Sequence, residues 1–164
     1  MSGRLTAREC GDLGTLSTEV DCSRIWVHRR GSRGVSKVLR SVVLGLSRGR
    51  AVTLGNHVFL PNGADRDLAT LAHEVLHCRQ YQAWGAWTYY RRGAVAQLQD
   101  LVYRTFRVGS SPYRYQPLPD RAFHLYGMEQ QAQIVEDCFR GHPVARAISP
   151  FQPDAAADQV IPSA

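Results

Sequence analysis

The sequence has almost no lysine: of its 20 cationic residues only Lys37 is not arginine. Coding bias produces such a skew, and it carries no phosphate-recognition signal. Also missing is any apolar run long enough to cross a membrane, and nothing ahead of the first helix-start pattern at Thr6 resembles the apolar stretch of a secretory signal. These absences predict a soluble chain made in the cytoplasm, exported, if at all, by a route that needs no signal peptide. The four cysteines, Cys10, Cys22, Cys78 and Cys138, show no C-x-x-C spacing and are too few for a disulfide scaffold. They read as buried thiols, with a Cys78–Cys138 bridge as the alternative. Acids are missing from residues 24–50, which hold Arg24, Arg29, Arg30, Arg33, Lys37, Arg40, Arg48 and Arg50, whereas 51–164 hold ten charges of each sign. The net +6 is therefore a local excess. No aromatic-interleaved basic motif accompanies it, so nucleic-acid binding is not expected.

At 164 residues the chain can bury roughly 70% of the surface its unfolded form exposes, enough for one domain with its own core. Thr6-Ala7-Arg8-Glu9 is a capping box, so a helix starts near Ala7. Arg24 to His28 reads as a strand. Val35, Val38, Leu39, Val42, Val43 and Leu46 recur at helical spacing, a stripe expected to face the core, with a membrane-surface or partner-docking face as the alternative. Residues 51–54 and 57–60 form a hairpin pattern around Gly55-Asn56. Asp65 or Asp67 can cap a helix reaching Trp84-Gly85, followed by another over 86–107 with a bend near Gly93. A loop spans 109–119, and the last helix runs from Gly127 to Arg140. The expected organisation is one domain over 1–142 and a mobile tail over 143–164, where prolines and small residues accumulate.

The segment that carries chemistry is Leu71-Ala72-His73-Glu74-Val75-Leu76-His77. Two histidines at i and i+4 share one helix face, so both imidazoles can reach one ion, while Glu74 lies beside that ion's water. Leu68, Leu71, Val75 and Cys78 form an apolar stripe on the far side. Catalytic zinc takes three protein ligands and keeps a position for water. A metzincin continuation would need Gly at 80 and His at 83, but Gln80 and Ala83 stand there. The remaining source is another helix. Glu129 and Glu136 share a face but lie about 10 Å apart along the axis, so only one can bind. Glu129 is preferred because it sits in the first turn and Ala132 lets the helices approach. Glu136, His124 and Asp120 are the alternatives, Glu136 also as a partner that orients a histidine.

Asp21-Cys22-Ser23-Arg24-Ile25-Trp26-Val27-His28, Arg50-Ala51-Val52-Thr53-Leu54-Gly55-Asn56, the segment Leu71 to His77 with Gln80, and Tyr126-Gly127-Met128-Glu129-Gln130-Gln131-Ala132 together resemble one known group. It is the zincin-like metallopeptidase domain of bacterial Vgr-related proteins, associated with contractile injection and type VI secretion. The resemblance spans about residues 20–140. It implies an α+β, gluzincin-like minimal fold in which a small antiparallel sheet packs on the HExxH helix and on a second, glutamate-bearing helix. It further implies His73, His77 and Glu129 as ligands of Zn²⁺, Glu74 as general base, and a secretion-apparatus partner.

The expected function is zinc-dependent hydrolysis of a peptide or protein substrate, Glu74 activating the zinc-bound water. Tyr126, His124 and Tyr115 are candidate stabilisers of the oxyanion. The hairpin offers an edge strand for an extended peptide. The alternative is a non-catalytic module of a secretion apparatus that keeps a metal for folding.

Overall fold

The computed structural model describes residues 3–31, 33–107 and 116–154; residues 108–115, with Tyr115 and most of the expected loop, and 155–164 of the expected tail lie outside them. Among the described residues the fold is α+β, with strands β1 (Gly3–Arg4), β2 (Trp26–His28), β3 (Val52–Leu54) and β4 (His57–Phe59) and helices α1 (Ala7–Asp12), α2 (Val35–Leu46), α3 (Leu68–Phe106), α4 (Met128–Phe139) and α5 (Pro143–Ile148). The sheet order is β1-β2-β4-β3. The β3–β4 hairpin is antiparallel, as is β1–β2, but β2 and β4 run parallel, with Val27 opposite Val58. The sheet is thus mixed rather than antiparallel throughout, because α2 lies between β2 and the hairpin and supplies the crossover a parallel pair needs.

Leu13, Leu16, Ile25, Val27, Val58, Leu60, Val75, Leu76 and Val135 are buried together between the sheet and helices α3 and α4. Fully burying one such side chain contributes roughly 1.5–3 kcal/mol. Asp67 starts α3 by accepting from the Ala69 and Thr70 amides at 3.1 and 3.3 Å. The two helices expected over 67–107 form one element broken at Gly85 (φ 75°, ψ 163°), not at Gly93. That conformation suits only glycine, and it sets the direction in which residues 86–106 run.

Three expectations need correction. The apolar stripe of α2 does not face the core: Val35, Val38, Leu39, Val42 and Leu46 are all exposed. The helix docks through polar side chains instead, Ser36 meeting His28 Nδ1 at 2.7 Å and Arg40 donating to the Leu60 carbonyl at 2.7 and 3.0 Å. Helical spacing locates a stripe without saying which side faces inward. Two arginines of the basic segment are engaged within the fold. Arg29 pairs with Glu9, and Arg40 holds Leu60 and Asn62.

The expected tail is structured through residue 154. Pro143 opens α5 at a position where a missing N–H is harmless, and Phe151 returns to the core. There the returning backbone passes so close to Gly14 that a Cβ would meet the Gln152 carbonyl oxygen at 2.1 Å. Thr15 N donates to that same oxygen at 3.1 Å, and Gln152 N donates to Thr15 Oγ1 at 2.8 Å.

The third correction concerns the thiols. Cys10 and Cys22 form a disulfide, whereas Cys78 and Cys138 are free and buried. The β1–β2 pairing and the Leu5 N to Ile25 O hydrogen bond bring α1 against the turn at 22–24, so two sequence-distant cysteines meet. Thiol titration of the unfolded chain should therefore find two free thiols without reductant and four with it. A cross-link between cysteines 12 positions apart stabilises by about 3 kcal/mol. Cys10→Ser should lower unfolding stability by about 2–3 kcal/mol in denaturant titration, an effect absent when both chains are reduced.

Candidate metal centre

One ligand atom each from His73, His77 and Glu129 lies within 4.8 Å of the others. α3 supplies the histidines and the first turn of α4 supplies Glu129. Ala132 is fully buried, and its small side chain lets α4 approach α3 where the three groups converge. The helix N-terminus also favours the Glu129 carboxylate.

Each of the two histidines has a further residue beside it. The buried amide of Gln80 accepts from His77 Nδ1 at 2.9 Å through Oε1 and donates through Nε2 to Met128 O and Gln131 Oε1, both at 3.2 Å. Gln131 Nε2 in turn donates to Tyr126 O at 2.9 Å. With the proton on Nδ1, Nε2 presents its lone pair toward Glu129 Oε2, 3.6 Å away. That separation is long for a hydrogen bond and close to the ~3.4 Å expected between two ligands of one tetrahedral ion at ~2.1 Å.

Without an ion a proton takes that place. Burial alone would lower the His77 pKa, but Glu129, then Glu74 and Gln80, raise it to about 9. Burial would raise that of Glu129, but His77, His73 and Arg50 together hold it below the ordinary value. A buried cation between these groups is thus favourable, which is what a fit to a divalent ion requires.

Glu136 is not a member of the ligand group; it stands behind it. Its Oε2 lies 3.0 Å from His73 Nδ1, off the hydrogen-bond direction, so this buried nitrogen has an ion-pair neighbour and no hydrogen-bond partner. Oε1 accepts from Arg140 at 2.8 and 3.2 Å, and Arg140 also bridges to Asp67 at 2.9 Å. His73 first, then Arg140, lower the Glu136 pKa against burial. Outer carboxylates of this kind orient a ligating imidazole and strengthen it as a donor. Glu136→Gln should weaken metal affinity about 10–100-fold by competition with a chelating dye, with one ion per chain still bound at saturation.

Glu74 is 4% exposed. Thr53 Oγ1, on edge strand β3, lies 2.7 Å from Glu74 Oε2, to which it donates, and 3.0 Å from the Glu74 carbonyl. Tyr89 Oη donates to Thr53 O at 3.4 Å, and burial pushes its pKa above the ordinary value. His124 is exposed and lines a groove that also contains Glu129. Tyr126 is differently employed: its hydroxyl accepts from Leu118 N at 3.0 Å and faces Leu118 O at 3.4 Å, so it fastens the preceding loop. Asp120 is outside the ligand group.

Gln80 and Thr53 appear in the sequence only within the resembling motifs, without a role. The available signal for Gln80 was a polar residue one turn after His77 on the face of a helix that must bury both sides. Thr53 had none, because its contact with Glu74 is tertiary.

Residues 46–85 match the family model of the eCIS core domain, the core domain of extracellular contractile injection systems. The matched segment ties this part of the chain to such systems. It contains the hairpin and His73, Glu74 and His77 but stops before Glu129. No curated protein and no solved structure matches the chain. Among the described residues no helix is long and apolar enough to cross a membrane.

Proposed function

We propose that this protein is a zinc-dependent peptidase with His73, His77 and Glu129 as metal ligands and Glu74 as general base. The observation that carries the proposal is the convergence of the three ligand groups with a buried carboxylate beside them that is not needed to hold the ion. A bound Zn²⁺ supplies Lewis acidity at the scissile carbonyl and lowers the pKa of water toward ~7. Thr53 occupies Glu74 Oε2, which leaves Oε1 to take the proton of the attacking water as the new C–O bond forms. The same oxygen then delivers that proton to the amide nitrogen as the C–N bond breaks. His124 is the candidate donor to the developing oxyanion. Edge strand β3, held to Glu74 through Thr53, can align an extended peptide by main-chain hydrogen bonds.

The test is metal content together with hydrolysis of a mixed peptide library. The proposal expects about one zinc per chain and cleavage that a chelator abolishes and added zinc restores. Cleavage that survives complete metal removal, or no cleavage by the zinc-loaded chain, would sink it. The similarity of residues 46–85 to the eCIS core domain favours a second reading, a non-catalytic module of an injection apparatus that keeps the ion for folding. That reading expects metal removal to lower stability while no peptide is cut.

A further inference from the structure

The metal centre adjoins a groove of about 490 Å³ to which Glu129 also contributes, together with Trp84, Arg91, Arg92, Val95 and His124. The break at Gly85 sends the second half of α3 past the start of α4, and this places two arginines in the lining of the same groove as a metal ligand. The Arg92 guanidinium lies 4.2 Å from the centroid of the Trp84 ring, a stacking that holds its planar fork in place. Among the described residues neither Arg91 nor Arg92 has a carboxylate partner. The groove's one carboxylate, Glu129, is already turned to His77. The wall therefore carries positive charge with no internal neutralisation, above an apolar surface formed by Trp84 and Val95.

Three kinds of peptide residue can be weighed against this lining. A basic side chain meets two like charges. A purely apolar one gains contact with Trp84 and Val95 but takes water from guanidiniums without replacing its hydrogen bonds. A carboxylate matches the geometry and charge of the guanidinium fork, and its methylenes suit the apolar part.

We propose that this groove binds a carboxylate-bearing residue of the substrate peptide, from an acidic side chain or a free C-terminus, against Arg91 and Arg92. The inference rests on the peptidase reading only for the occupant being a peptide.

The experiment measures fluorescence anisotropy of short labelled peptides that differ only in Glu against Gln at one position, each with a free and an amidated C-terminus. They are titrated with the zinc-loaded Glu74→Gln chain, so that none is consumed. Peptides with the added carboxylate should bind about two- to fivefold tighter than their neutral counterparts, the advantage shrinking as salt rises. The free/amidated and Glu/Gln pairs separate the two sources of the carboxylate. Arg91→Gln with Arg92→Gln should remove the preference and leave the fully neutral peptide unaffected. Arg91→Lys with Arg92→Lys should retain part of it, which excludes loss of fold as the cause. Equal binding of acidic and neutral peptides, persistence of the preference in the double glutamine variant, or no binding of any peptide overturns the proposal. If the wild-type chain cuts none of these peptides while the preference stands, the peptidase reading falls and the groove survives. If the chain cuts them but acidic and neutral peptides bind equally, the groove proposal falls and the peptidase reading survives.

Discussion

Glu74→Gln is expected to keep its zinc and its fold and to hydrolyse peptides about 10²–10⁴-fold more slowly than the wild-type chain, the range a positioned general base contributes. The substitution is close to isosteric, and the side-chain carbonyl of glutamine can still accept from Thr53 Oγ1, which stands 2.7 Å from Glu74 Oε2. The ligand group, His73, His77 and Glu129, is untouched. What disappears is the one oxygen able to take a proton from water. The measurement pairs metal content with single-turnover hydrolysis of one peptide. Undiminished activity would remove Glu74 from the mechanism, and loss of zinc would mean that it serves the ion rather than the reaction. Thr53→Val supplies a graded companion: the carboxylate remains but loses its only described hydrogen bond, so hydrolysis should fall by less than in Glu74→Gln.

The second large effect belongs to His77. His77→Ala should abolish stoichiometric metal binding and destabilise the metal-free chain by about 3 kcal/mol, the scale of breaking a buried charge pair by removing one partner. Three groups lose their counterpart at once: Glu129, 3.6 Å from His77 Nε2, Gln80, 2.9 Å from Nδ1, and Glu74, whose charge also acts on that ring. The pH dependence has a definite sign. His77 rises from 6.5 to about 9 on folding without metal. Its contribution to the metal-free protein is therefore complete below pH 6.5 and is lost as pH rises through about 9. The difference between wild type and His77→Ala, read by denaturant unfolding in chelator, should be largest near pH 6 and smaller above pH 9. In the zinc-loaded protein the ion replaces that proton, so wild-type stability should not decline across this window. A constant difference from pH 6 to 9.5 in chelator would show that the His77–Glu129 pair is not what stabilises the junction of α3 and α4.

Local rules account for the parts of the molecule that were legible in advance. The i, i+4 spacing of His73 and His77, the Asp67 cap, the Gly55-Asn56 turn and the start of α4 near Gly127 all depend on residues within a few positions of one another. Glu129 was within reach as well, because a small residue one turn later marks a close helix approach, and Ala132 is fully buried there. Glu136 illustrates the limit. Helical spacing offers it and Glu129 on one face, and only the packing of α4 on α3 decides that one joins His77 while the other stands behind His73.

The two histidines, the adjacent carboxylate, the helix that carries them and the local nature of the positive charge were readable from the residues alone. These follow from period, capping and composition, which need no knowledge of what lies opposite. Tertiary structure alone decided which cysteines pair, that α2 turns Ser36 and Arg40 inward and leaves its apolar stripe in water, and that Phe151 returns to the core. It also placed Thr53 on Glu74, Gln80 on His77, and Arg91 and Arg92 in the groove that Glu129 lines. Each of these results depends on contacts between segments far apart in the chain. A residue's own period says which face it occupies, and only the neighbouring element supplies the partner.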